Sequence, residues 1–175
     1  MLVALPPAQS AATLTTPWKV DEYTIGSMSR IDLKARVLSK AYYRFGREVA
    51  LSRYDLALGW GPMSDQAVVD QLSISQSNRW YRWHYQKPPL DEKQMIANSG
   101  NFHIIPANDQ IRATLNQLRI GHIIKLQGQL VHVKAPDGWR WRSSLSRTDT
   151  GVHSCELVWV EQLSIEPIQT KTPSR

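Results

Sequence analysis

The chain carries a single cysteine, Cys155. That excludes an internal disulfide and any zinc site built from clustered cysteines. No apolar run approaches the roughly 20 residues that a membrane-spanning helix needs. Met1 to Leu5 is apolar, but it is too short and lacks the basic flank of an intact signal peptide. It fits the end of a longer leader equally well. Catalytic signatures are missing too. There is no G-x-S-x-G elbow and no H-E-x-x-H pair. Gly59 and Gly61 flank Trp60 without the third glycine of a dinucleotide loop. His122 and His132 stand in one strand-like run with no third ligand at a metal-binding spacing. Neither a metal nor another cofactor is expected.

What remains is ordinary globular material: 175 residues, 42% hydrophobic and 21% charged. That is enough chain to bury a core without staples. One globular domain is expected over residues 18–166. An Ala/Pro/Ser/Thr-rich leader or linker, residues 1–17, precedes it as flexible chain, and a disordered tail, 167–175, follows. The net charge of +6 is unevenly placed. Residues 79–147 hold eleven Lys/Arg against four Asp/Glu, so the middle of the chain carries the excess. A basic stretch of this kind attracts nucleic acid, anionic lipid or another acidic polymer, or serves only for solubility.

Periodicity points to strands. The best-marked region is Ile120 to Ile165. Gly121 to Val133 is a β-branched run, with Gly128 at a bend or bulge. Pro136-Asp137-Gly138 has turn chemistry. Beyond it, Trp139, Trp141 and Ser143 alternate with Arg140, Arg142 and Ser144, and the second set is placed on an exposed face. Ser154 to Ile165 is apolar on both faces, as a central strand requires. Earlier, Trp18 to Ile25 reads as a short strand. Ile31 to Lys40 reads as a half-exposed one, with Glu48 to Ser52 returning. Ser64 is expected to cap a short helix, Ser73 to Asn78 to form a link, and Asp91 to start another helix. Asn108 should cap the best helix, with Ile111, Leu115 and Leu118 buried.

Two stretches could carry function. In Arg79 to Tyr85, arginine interleaves with aromatics. That suits single-stranded nucleic acid, where bases stack on rings and guanidinium meets phosphate, and it suits a packed aromatic strand equally well. Arg79, Arg82, Arg140 and Arg142 are the candidate binding residues. The loop from Ser143 to Glu156 is the densest polar cluster, and on paper it offers Ser/His/Asp or Cys/His chemistry. The simpler reading is a structural clamp. In it Asp149 caps its own turn, Gly151 supplies a free backbone, and Arg147 reaches Asp149 or Glu156.

The blocks LALGWGPMSD, ISQSNRWYRW, NFHIIPA and WRWRSSLSRTDTGVHSCEL resemble an uncharacterised bacterial protein family, with likeness from about Ile31 to Val160. The resemblance implies an apolar segment ahead of the domain and hence an envelope location, periplasmic or membrane-anchored. It assigns no catalytic residues. Together these readings predict a β-rich α+β domain: a mostly antiparallel, partly open OB-like barrel with two or three short helices. The leading functional expectation is a non-catalytic binding or assembly module of the envelope, with an acidic polymer or a protein as partner. The alternatives are a nucleic-acid-binding barrel using residues 79–147 and a hydrolase using the 143–156 loop.

Overall fold

A computed structural model describes residues 3–146 and 155–167. Its main sheet is organised by one long strand, β3 (Tyr23–Tyr42). Two shorter strands lie beside it, β1 (Ala8–Ser10) and β2 (Trp18–Val20). Next come β4 (Tyr54–Gly59) and the small helix α1 (Gln66–Val69), then a hairpin of β5 (Ser73–Ser77) and β6 (Trp80–His84). The chain continues through α2 (Glu92–Ala97), β7 (Ser99–Pro106), α3 (Asp109–Gln117), β8 (Ile123–Lys134), β9 (Arg140–Arg142) and β10 (Glu156–Ile165).

Five strands close a ring in the order β3-β4-β7-β10-β8 and back to β3. All of its pairings are antiparallel except β7 with β10, which is parallel. β3 is long enough to serve both sides of the closure. It pairs with β8 over Thr24–Arg36 and with β4 over Arg36–Tyr42. Register shifts between Ser27 and Ser29 and between Val37 and Ser39 let it bend, as bulges do. The second shift turns Leu38 away from solvent. Arg36 is also buried, so the half-exposed strand expected over Ile31 to Lys40 is covered on both faces at this end.

Inside the ring lie Ile31, Leu33, Ala35, Leu56, Leu58, Phe102, Ile104, Leu126 and Val158, all essentially without solvent exposure. Each fully buried aliphatic or aromatic side chain of this kind contributes about 1.5–3 kcal/mol. α3 closes one end of the ring, as its pattern predicts. Asn108 Oδ1 accepts a hydrogen bond from Ile111 N, and Ile111, Leu115 and Leu118 join the ring core.

Several expectations are corrected. The leader is docked: β1 pairs with β3, Val3 is buried, and its N–H donates to Ser64 Oγ. The returning strand is β4; Arg47–Ala50 is instead a 3-10 turn. Asp65, rather than Ser64, caps α1. Ser73 to Asn78 is mostly strand, because Asn78 and Arg79 take left-handed backbone and fold β5 onto β6. The extra residue near Gly128 lies in the facing strand, between Val160 and Gln162. Gly128 is glycine because a Cβ there would collide with the carbonyl oxygen of Trp159.

Candidate functional site

β3 and β8 run on beyond the ring. With β2 on one side and β9 on the other they make a four-stranded antiparallel extension. The register sets two cross-strand rows: Lys19, Thr24, Lys134 and Arg140, then Gly26, His132 and Arg142. Directly opposed residues share a face, so these rows form one surface. The alternate positions, among them Trp18, Ile25, Val133 and Trp141, pack on the other side into a second core. The result is a two-sided extension, apolar within and cationic without.

Charge pairing separates this surface from the rest of β3 and β8. Further along, Lys34 and Lys125 both reach Glu166, at 3.1 and 2.9 Å, and Arg30 reaches Glu161 at 3.5 Å. Among the described residues, Lys19, Lys134, Arg140 and Arg142 pair with no carboxylate. Asp21 and Glu22 occupy the β2–β3 turn beyond Lys19 without pairing to it. His132 sits in the middle. Its ring leans across the sheet into the space that a side chain at Gly26 would fill. Partial burial, then the charges of Lys134, Arg142 and Arg140, hold its pKa below the ordinary histidine value.

Of the four arginines read from the sequence, the structure brings Arg140 and Arg142 together on this face. Arg82 is exposed on the β5–β6 hairpin, where Nη1 donates to Ser77 Oγ at 3.1 Å. Arg79 points inward. Its guanidinium donates to Asp55 Oδ1 at 2.7 Å and to the Ser52 carbonyl at 2.7 Å. It also lies 4.2 Å from the Tyr43 ring centroid and 5.7 Å from that of Trp141. Asp55 is fully buried, which the partner makes tolerable. His103 Nδ1 stands 2.9 Å from the same carboxylate oxygen without forming a well-aligned hydrogen bond to it. Asn101 Nδ2 donates to the Arg79 carbonyl at 3.0 Å, and Gln76 Nε2 donates to Asn101 Oδ1 at 2.7 Å. These contacts staple the hairpin to the outer face of β4 and β7.

Arg147, Asp149 and Gly151 lie outside the described residues, and so does the clamp expected of them. Glu156 is described and buried. It follows the inward parity of Val158, and its carboxylate occupies the space beside Gly100. Two serines of the polar loop serve turns. Ser143 Oγ donates to the Ser144 carbonyl and accepts from Leu157 N, while Ser144 Oγ donates to the Ser146 carbonyl and accepts from Ser146 N. Ser144 is only 7% exposed, against the exposed face expected of it. The strand ends at Arg142, and Ser144 N instead donates to the Cys155 carbonyl.

Sequence reasoning missed Lys19, His132 and Lys134. The last two were legible, since Leu130-Val131-His132-Val133-Lys134 alternates cleanly. Lys19 joins them only through register. No protein-family model matches the chain, and no curated protein matches it.

Proposed function

We propose that the protein is a non-catalytic binding module on an OB-like barrel, and that the β2-β3-β8-β9 face takes an acidic polymer. Several features support the OB-like reading. The ring's first three strands follow one another antiparallel, the third runs parallel to the fifth, and the fourth returns to the first. A helix, α3, lies between the third and fourth. OB barrels bind along the outer face of their second and third strands. Here those are β4 and β7, and the stapled hairpin covers that face. Fold alone would not grant a function, so the reading rests on one observation: Lys134, Arg140 and Arg142 surround His132, Lys19 lies in the adjoining row of the same face, and none of the four has a carboxylate partner among the described residues.

The aromatic-interleaving idea fares differently. In both arginine-rich strands, alternation sends most of the rings inward, and Trp80 alone shares the Arg82 face of β6. Tyr81 and Trp83 pack beneath the hairpin, and Trp139 and Trp141 pack behind the extension. The cationic face presents no ring for a base to stack on, so binding should follow charge rather than sequence. The envelope location implied by the family resemblance has no part in this reading.

Polyphosphate and a single-stranded oligonucleotide of equal charge should therefore bind with similar affinity. For about four phosphates neutralised, log affinity should fall with log salt at a slope of about −3. Replacing Lys19, Lys134, Arg140 and Arg142 with Gln should weaken binding at least tenfold and flatten that slope. An unchanged affinity and slope in the fourfold variant would remove this face from consideration.

A further inference from the structure

A second site lies at the α3-capped end of the ring. There the end of β3, the 3-10 turn after it, the start of β4, the end of β7 and the exposed side of α3 enclose a cleft of about 340 Å³. That is the small end of the range for small-molecule sites. Its apolar wall comes from Val49, Leu51 and Pro106. Tyr42 and Tyr54 add ring surface, opposed across the β3–β4 pair with centroids 5.0 Å apart. Tyr54 is nearly buried, and its hydroxyl bonds to Asn116 Oδ1, which fixes that ring to α3. Tyr42 is 47% exposed, so its ring is accessible from the cleft.

The charge in the cleft has one sign. Arg53, from β4's leading edge, and Arg112, from α3, both line it, and among the described residues no carboxylate does. Arg53 Nη1 donates to Tyr42 Oη at 3.3 Å, so one guanidinium is held beside the exposed ring. Arg112 pairs with Asp109 one helical turn away, but both side chains are largely in water. An exposed pair of that kind contributes little and gives way readily. Two guanidinium groups beside a phenol ring and an aliphatic wall suit a small molecule with one planar ring and an acid group. The carboxylate would take the bidentate bonds that arginine offers, and the ring would lie on Tyr42.

We propose that this cleft binds a small aromatic carboxylic acid, with Arg53 and Arg112 holding the acid and Tyr42 holding the ring. It is separate from the cationic face: no residue is shared, and the cleft can exist whether or not that face binds a polymer. The test is an amide-shift titration of the ¹⁵N-labelled full chain with 4-hydroxybenzoate, and with neutral 4-hydroxybenzamide as control. Saturable shifts confined to the lining residues, Tyr42, Val49 to Leu51, Arg53, Tyr54, Arg112 and Asn116, are expected for the acid and not for the amide. Arg53→Gln with Arg112→Gln should weaken binding about tenfold or more, and Tyr42→Ala several-fold. All three substituted side chains are exposed, so the amide spectrum itself reports whether the fold survives. Arg140→Gln should leave the titration unchanged. No saturable shift in the millimolar range, equal binding of the amide, or an unaffected double variant would each overturn the proposal.

Discussion

Asp55 shows how much one residue can hold. Its carboxylate is fully buried on the outer face of β4 and answered by the Arg79 guanidinium at 2.7 Å. Deleting one member of a buried pair leaves the other charge uncompensated, at about 3–5 kcal/mol. Asp55→Ala should lower stability by that order in denaturant unfolding, while Arg82→Gln, on the exposed side of the same hairpin, should change it little. A loss below about 1 kcal/mol for Asp55→Ala would mean the staple is idle. His132 makes a different demand. Its pKa is depressed by burial and by Lys134, Arg142 and Arg140, so it is neutral at pH 7 and resists protonation in the free protein. The sign follows. As pH falls through about 6.5, the unfolded chain takes up the proton first, and folding loses stability there. A bound polyanion reverses the balance, because phosphate beside the ring favours the imidazolium. Affinity for polyphosphate should therefore rise from pH 8 to pH 5.5, with a steeper salt slope by about one phosphate contact. His132→Gln should abolish both changes, and a variant that kept them would assign the proton elsewhere.

Among the elements, those with local patterns were legible. α3 is written in Asn108 and its apolar stripe, β10 in an apolar run on both faces, and the β8–β9 turn in Pro136-Asp137-Gly138. The elements that escaped depend on distant partners. β4 is hard to read because its outer residues are buried by partners that arrive later in the chain: Asp55 meets Arg79 of the hairpin, and Ala57 clusters with Met63 and Met95. β5 is polar at every second position and looks like a link until Trp80–His84 pairs with it. The candidate site was half visible for the same reason: Arg140 and Arg142 declare themselves, whereas Lys19 reaches them across two intervening strands. At Gly128, β8 and β10 lie too close for a side chain between them. Gly128→Ala would drive a methyl group into the Trp159 carbonyl, and overpacking against backbone costs about 1–3 kcal/mol. Thermal unfolding should show that loss, and Gly138→Ala, where nothing stands within 4 Å, should show only the smaller cost of its backbone conformation.

At the scale of the whole molecule, the ring and its extension divide the labour. The ring supplies a largely apolar interior closed at one end by α3, and the extension, backed by a second core, carries charges with no carboxylate partner among the described residues. The parallel pairing of β7 with β10 carries a further consequence for synthesis. The chain leaves β7 at Pro106, builds α3, β8 and β9, and returns to β7's free edge only at Glu156. At translation speeds of roughly 5–20 residues per second, several seconds separate the two partners. During that interval β7 and β8 both present open edges. The strand that fits between them emerges after every other strand of the ring, so the nascent protein waits for its keystone before it can close.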